Sequence, residues 1–232
     1  MLAAPITTAL EAAAGPALHI PDGFLSAPVS IVGWVVTASI VGIAARRAER
    51  TLSDRAVPLM GVMAAFIFAA QMMNFPVAGG TSGHLLGGAL AAALLGPWAA
   101  IIVMTAVVGL QGLLFQDGGL LVMGANIFNM GIVTVGLSTL LFRVARPFAR
   151  GGTGTLVVAF ITAWLTVEVS ASLAAVELAV SGTSPLAIAL PAMVTVHALI
   201  GIGEGLITAA ALAFVRATSP NLLPTSAAEA AR

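Results

Sequence analysis

Three histidines, His19, His84 and His197, are the residues of this 232-residue sequence best suited to a transition-metal ion, since it contains no cysteine. Neutral imidazole is the commonest metal ligand and suits Ni, Co, Cu and Zn. His19 lies in Leu18-His19-Ile20-Pro21-Asp22-Gly23-Phe24-Leu25-Ser26, where Pro-Asp-Gly makes a turn ahead of the first apolar run. His84 follows Gly80-Thr81-Ser82-Gly83 at the head of a short apolar run. Each histidine alone reads equally as a hydrogen-bonded loop residue; two on one side of a small bundle read as a metal site. Two imidazoles do not fill a coordination sphere, and nearby carboxylates are few. If the chain began at residue 18, its amine, the His19 amide and the His19 Nδ1 would close a five- and a six-membered ring on one ion. His84 would add a fourth nitrogen, and four nitrogens in a plane select Ni(II), Cu(II) or similar ions over Mg or Ca.

Other polar residues interrupt apolar stretches. Asn126 and Asn129 sit at i, i+3 on one helix face, and Gln71 and Asn74 repeat that spacing at the end of an earlier run. His197 and Glu204 are seven apart, Glu168 and Glu177 nine apart, each pair close to one face. Hydrogen bonding between helices accounts for all of these at about 0.6–2 kcal/mol each. Ionisable groups inside a membrane also admit a proton relay, so both readings stand for His197 and Glu204.

What must position these residues follows from composition. The chain is 59% hydrophobic and 8% charged, with a formal net charge of zero. Eighteen charged residues cannot cover a water-facing surface of this size, which excludes an ordinary soluble domain and a disordered chain. The absence of a basic stripe excludes a nucleic-acid binder. The remaining class is an all-α membrane protein in the lipid bilayer. Continuous apolar runs at 28–45, 57–75, 84–95, 98–115, 120–142, 155–180 and 185–215 predict about seven transmembrane helices. Continuous rather than alternating hydrophobicity argues against strands.

Every basic residue is an arginine, at positions 46, 47, 50, 55, 143, 146, 150, 216 and 232. With seven spans all fall on one face, which the positive-inside rule makes cytoplasmic. The chain is then N-out and C-in, with His19, Asp22, Asp117 and the loop before His84 outside. The third run, from His84 to the Gly96-Pro97 break, is about twelve residues or ~18 Å, too short for a ~30 Å hydrocarbon core. The predicted arrangement is a short third helix after a re-entrant outer loop, Val77–Gly83, with His84 at the helix start. Ala38 and Gly42 form a small-residue pair that permits close helix approach.

The segments Leu18–Leu25 (LHIPDGFL), Gly80–Trp98 (GTSGHLLGGALAAALLGPW), Asp117–Met130 (DGGLLVMGANIFNM) and His197–Thr208 (HALIGIGEGLIT) resemble the CbiM/NikM family. Its members are the substrate-binding membrane components of energy-coupling-factor cobalt and nickel transporters. The resemblance implies seven helices and a metal site near the outer face. The implied ligands are the amine of Leu18, the amide and imidazole of His19, and the imidazole of His84. Asn126, Asn129, Ser82 and Asp22 are implied as residues that orient those ligands or the N-terminal loop. It further implies a membrane coupling subunit, ATPase subunits and a small accessory membrane subunit as partners, Co2+ or Ni2+ as transported substrate, and a bacterial or archaeal plasma membrane. The family pattern begins Met-His, whereas Leu18 here stands behind seventeen residues. Leu18 as the true initiator, cleavage after Ala17, or a retained extension with other ligands would each account for this. The first is the expectation, because 1–17 lacks a basic start and Glu11 interrupts any apolar core. The chain then divides into an N-terminal extension (1–17), a transmembrane metal-binding transporter domain (18–216) and a cytoplasmic tail (217–232).

No G-x-x-x-x-G-K-[ST] loop occurs, so energy for active transport must come from partners. Two rivals remain. Gly80-Thr81-Ser82-Gly83 fits the G-x-S-G of rhomboid-type intramembrane serine proteases, with His197 as base, though the rest of that pattern is missing. A stand-alone secondary metal carrier would use His197 and Glu204, though no internal repeat accompanies them.

Overall fold

A computed structural model describes residues 19–52, 56–77 and 81–222. Seven helices follow in order: α1 Ala27–Thr51, α2 Ala56–Gln71, α3 Gly88–Leu95, α4 Pro97–Leu114, α5 Met123–Val144, α6 Gly151–Val180 and α7 Leu186–Thr218. Five of them, α1, α4, α5, α6 and α7, are long and apolar enough to cross a membrane. With 16 and 8 residues, α2 and α3 reach only ~24 and ~12 Å, short of a ~30 Å hydrocarbon core. At 30 and 33 residues, α6 and α7 have length to spare.

Between α2 and α3 lies a feature that the continuous hydrophobic runs conceal. Strands β1 (Asn74–Val77) and β2 (Thr81–His84) form an antiparallel hairpin, with Asn74 opposite His84 and Val77 opposite Thr81. This corrects three expectations. Strands are present among the described residues. His84 closes β2 instead of opening the third helix, which starts at Gly88. Asn74 opens β1, so it shares no helix face with Gln71. The physical reason is that non-helical backbone packed into such a bundle must pair its N–H and C=O groups, and a hairpin does so within the segment. Gly87, at φ +82°, separates the hairpin from α3; a side chain there would run into Ile67 at 2.7 Å.

Helices α6 and α7 pack antiparallel along their length. A Cβ on Gly201 would meet Trp164 at 2.8 Å and one on Gly205 would meet Phe160 at 2.6 Å. The Trp164 Nε1–H donates to the Ala198 carbonyl at 3.0 Å. Helix α1 crosses the start of α5 backbone to backbone: a Cβ on Gly124 would lie 2.5 Å from the Trp34 nitrogen. The Thr37 hydroxyl donates to the Gly124 carbonyl at 2.7 Å across the same crossing. Gly42 has open space beside it, so the small-residue pair with Ala38 is not used at that crossing.

Arg50, Arg143 and Arg216 occupy the last turns of α1, α5 and α7, and Arg150 precedes α6. Cations suit helix C-termini, and here they collect at one end of the bundle. At that end the Arg47 guanidinium lies over the Trp98 ring at 5.9 Å. His19 and the start of α5 are at the other.

Candidate metal site

The segment 19–22 runs across the α4–α5 connection and is held there by polar contacts spanning about a hundred residues of sequence. Just past α4, Gln116 adopts the left-handed region (φ +56°) and the Asp117 N–H bonds back to the Gln111 carbonyl at 3.1 Å. This closing turn aims the Asp117 carbonyl at His19, whose Nδ1 lies 2.9 Å away. The Asp117 carboxylate is 3.4 Å from the same nitrogen. Gly118, at φ +93°, has no room for a side chain, since a Cβ would meet the His19 Cβ at 2.6 Å. Gly119 is equally constrained, with a Cβ falling 2.1 Å from Asp22 Oδ1. The Asp-Gly-Gly sequence is therefore a steric requirement of docking His19 and Asp22.

Asp22 and Asn126 complete the docking. The Asp22 carboxylate accepts N–H bonds from Leu120, Leu121 and Val122 at 3.1, 2.8 and 3.3 Å, ahead of the first turn of α5. Asn126 pairs with the Ile20 backbone like a neighbouring strand: its Oδ1 accepts from the Ile20 N–H at 3.1 Å and its Nδ2 donates to the Ile20 carbonyl at 3.0 Å. The Gly119 N–H also donates to the Ile20 carbonyl. Farther along, the Thr183 hydroxyl donates to the Phe24 carbonyl and ties the loop to the α6–α7 turn.

His84 reaches the same place from β2. The His19 and His84 rings meet edge to face, with centroids 4.9 Å apart and planes at 85°. Both are buried, at 6% and 4% exposure. His84 Nδ1 lies 2.8 Å from the Leu85 carbonyl. An N–H there puts the lone pair on Nε2. By the same logic the Asp117 carbonyl leaves the His19 lone pair on Nε2, a buried atom with no hydrogen-bond partner among the described residues. Burial pushes His19 down to about 4, opposed by the Asp117 carbonyl. Burial, then the nearby His19, pushes His84 down to about 3. Two neutral imidazoles side by side, each with one nitrogen fixed by a carbonyl, are ready to donate lone pairs.

Among the described residues no group of three His, Cys, Asp or Glu side chains is placed to hold an ion. Leu18 lies outside the described residues, as does the side chain of Ser82, whose backbone pairs with Pro76. Asn129 is engaged with α6: its Nδ2 donates to Glu177 at 2.7 Å, and its carbonyl accepts from Ser170 at 3.0 Å. It sits in a π-helical stretch of α5, Phe128–Val133, so the i, i+3 face expected with Asn126 is broken there. His197 Nδ1 bonds within its own helix, to the Met193 carbonyl at 2.8 Å. Glu204 accepts the backbone N–H groups of Leu86 and Gly87. Sequence reading placed Asp117 only on the outer side; the use of its carbonyl depends on the turn that follows α4.

A bundle with five helices long and apolar enough to cross a membrane, and two buried, paired imidazoles at one end, defines a multi-pass membrane protein. Residues 19–222 match the family described as the cobalt uptake substrate-specific transmembrane region, CbiM, and the chain belongs to that family. A Haloquadratum walsbyi protein named provisionally for metal transport is 43% identical over 210 residues, covering 89% of this chain and 93% of its own. The fused nickel transport protein NikMN of Rhodobacter capsulatus is 33% identical over 229 residues, covering 92% of this chain and 66% of its own. A crystal structure of a transition metal transporter superposes with a TM-score of 0.80 at 30% identity, covering 86% of this chain and 93% of that one. Kinship with metal transport proteins does not favour the serine protease reading.

Proposed function

We propose that this chain is the substrate-specificity component of an energy-coupling-factor importer for Co2+ or Ni2+, working with a membrane coupling subunit, ATPase subunits and a small accessory membrane subunit. The observation that carries the reading is the pairing of His19 and His84, brought edge to face from loops 65 residues apart in sequence. The ion is held near the outer face by nitrogen: the amine of residue 18, the His19 amide and imidazole, and the His84 Nε2. The chain is N-out and C-in in a bacterial or archaeal plasma membrane, the arginine-bearing end facing the cytoplasm. ATP hydrolysis belongs to the partners, since the sequence contains no phosphate-binding loop.

Two conditions follow. A ligand amine at residue 18 needs a chain that starts there. The amide–Nδ1 chelate needs the His19 Nδ1 to exchange the Asp117 carbonyl for the ion. Because both imidazoles are held neutral, proton competition falls on the amine, of ordinary pKa ~7.7–8.0, and on the amide. The test is N-terminal sequencing of active protein, followed by Ni(II) and Co(II) titration of forms with and without residues 1–17. Tight binding only by the form starting at 18, weakening as pH falls from 8, is expected. Equal binding by the uncleaved form overturns the amine ligand. Undiminished binding by His19→Ala or His84→Ala overturns the site.

A further inference from the structure

The turn that follows His84, residues 85–87, lies inside the bundle and its backbone groups are taken up by side chains from distant helices. Glu204, in α7 and 4% exposed, places Oε2 at 2.9 Å from the Leu86 nitrogen and Oε1 at 2.6 Å from the Gly87 nitrogen. Gln71, at the end of α2 and fully buried, donates from Nε2 to the Leu86 carbonyl at 2.7 Å. The Leu85 carbonyl in the same turn holds His84 Nδ1 at 2.8 Å. Packing closes the remaining freedom, since Gly87 abuts Ile67 and a Cβ on Gly88 would fall 2.0 Å from the Thr134 hydroxyl oxygen.

Two successive amide N–H groups need two acceptors side by side, and a carboxylate supplies them from one side chain. Glutamine would set its own N–H2 against one of those donors. The contacts form a chain from Glu204 to the Leu86 and Gly87 amides, to the Leu85 carbonyl, to the Nδ1–H of His84. Partners behind a metal-ligating histidine fix its tautomer and ring direction.

We propose that Glu204 is a positioning residue for metal capture: its carboxylate clamps the 85–87 turn and so sets the direction in which His84 presents Nε2 to the ion. The proposal rests on the assignment of His84 as a ligand. Gln71 holds the Leu86 carbonyl of the same turn. Glu204 itself touches no ion.

The test uses protein carrying the N-terminus found on the active form, in detergent, with Ni(II) and Cu(II) as probes. Glu204→Gln is expected to weaken Ni(II) binding at least about tenfold, as loss of such partners does elsewhere. The visible absorption of the planar Ni(II) complex is expected to shift at saturation. Glu204→Gln, His84→Ala and the double variant are then all read with Cu(II), which stands highest in the affinity order, so that the remaining nitrogens still bind measurably. A residue acting through His84 costs nothing further once His84 is gone. Wild-type Ni(II) affinity and spectrum in Glu204→Gln would overturn the proposal, and so would an equal loss with and without His84. If Glu204→Gln does not fold, Gln71→Met is read in its place, in the same cycle and by the same criteria. Full-strength binding by His84→Ala would instead overturn the ligand assignment beneath the proposal. Loss in His84→Ala beside wild-type behaviour in Glu204→Gln overturns the proposal alone.

Discussion

The α6–α7 hairpin and the histidine-bearing loops are built on opposite principles. The hairpin joins two long helices through glycine–aromatic contacts, Gly201 on Trp164 and Gly205 on Phe160. The loops are short and irregular, and they are joined by side chains that seize remote backbone: Asp22 on 120–122, Asn126 on Ile20, Glu204 on 86–87. Where an element satisfies its own backbone, apolar packing suffices. Where it does not, a polar side chain must be supplied from elsewhere, and that side chain becomes as necessary as a ligand. Substitutions at the glycine–aromatic contacts of the hairpin should therefore change stability and spare ion binding, and those at the side chains that hold the loops, Glu204 included, should do the reverse.

The largest effect is expected from Gly119→Ala. The new methyl would occupy the position of the Asp22 carboxylate and nitrogen, 2.1 and 2.3 Å away, so segment 19–22 must lift off. A loss of about 3 kcal/mol in docking should abolish Ni(II) binding by titration, while circular dichroism still shows the helices. Gly61→Ala, with open space around it, should leave binding unchanged. Next is Gly205→Ala, which overpacks Phe160 and should cost about 1–3 kcal/mol. Its melting temperature should fall with ion affinity intact; lost affinity would break the division between the two regions.

Asn126→Leu comes third. It leaves the Ile20 N–H and C=O without the carboxamide, two hydrogen bonds at about 1 kcal/mol each. Ni(II) affinity should drop roughly tenfold to thirtyfold, 1.4 kcal/mol being a factor of about ten. A different kind of test is acid sensitivity of the metal-free protein. His19 and His84 are held near 4 and 3 when folded and return to 6.5 when unfolded. The unfolded chain then binds more protons, so stability is lost as pH falls from 6.5 toward 4. Melting temperature should decline over that window, and less steeply in His19→Gln/His84→Gln. An equal decline would place the acid-sensitive groups elsewhere.

The same contrast explains what could be read in advance. The long helices were legible because hydrophobic run length reports them directly, and the one-sided arginines indicated which ends belong together. His19 and His84 were legible as residue types. The hairpin was not, since four-residue strands inside an apolar region leave no period to detect. A part for Asp22 and Asn126 in orienting the N-terminal loop was implied by the family resemblance alone, and the clamp by Glu204 left no signal, since the partners of all three are backbone groups about a hundred residues distant. The π-helical stretch of α5 turned Asn129 toward Glu177, and i, i+3 arithmetic assumes a regular helix.

The docking of segment 19–22 also bears on kinetics. Amides 120–122, Gly119 and the Asn126 carboxamide hold it by side-chain and backbone bonds in parallel, with Thr183 holding the chain just beyond. Such a strap opens by peeling, one fastening after another. If the proposed site holds the ion, an ion bound to His19 would leave no faster than the strap lifts. Its residence time would then be governed by hydrogen bonds that never touch the metal, and a surface that loosened the Asp22 end would release it without competing for a single coordination bond.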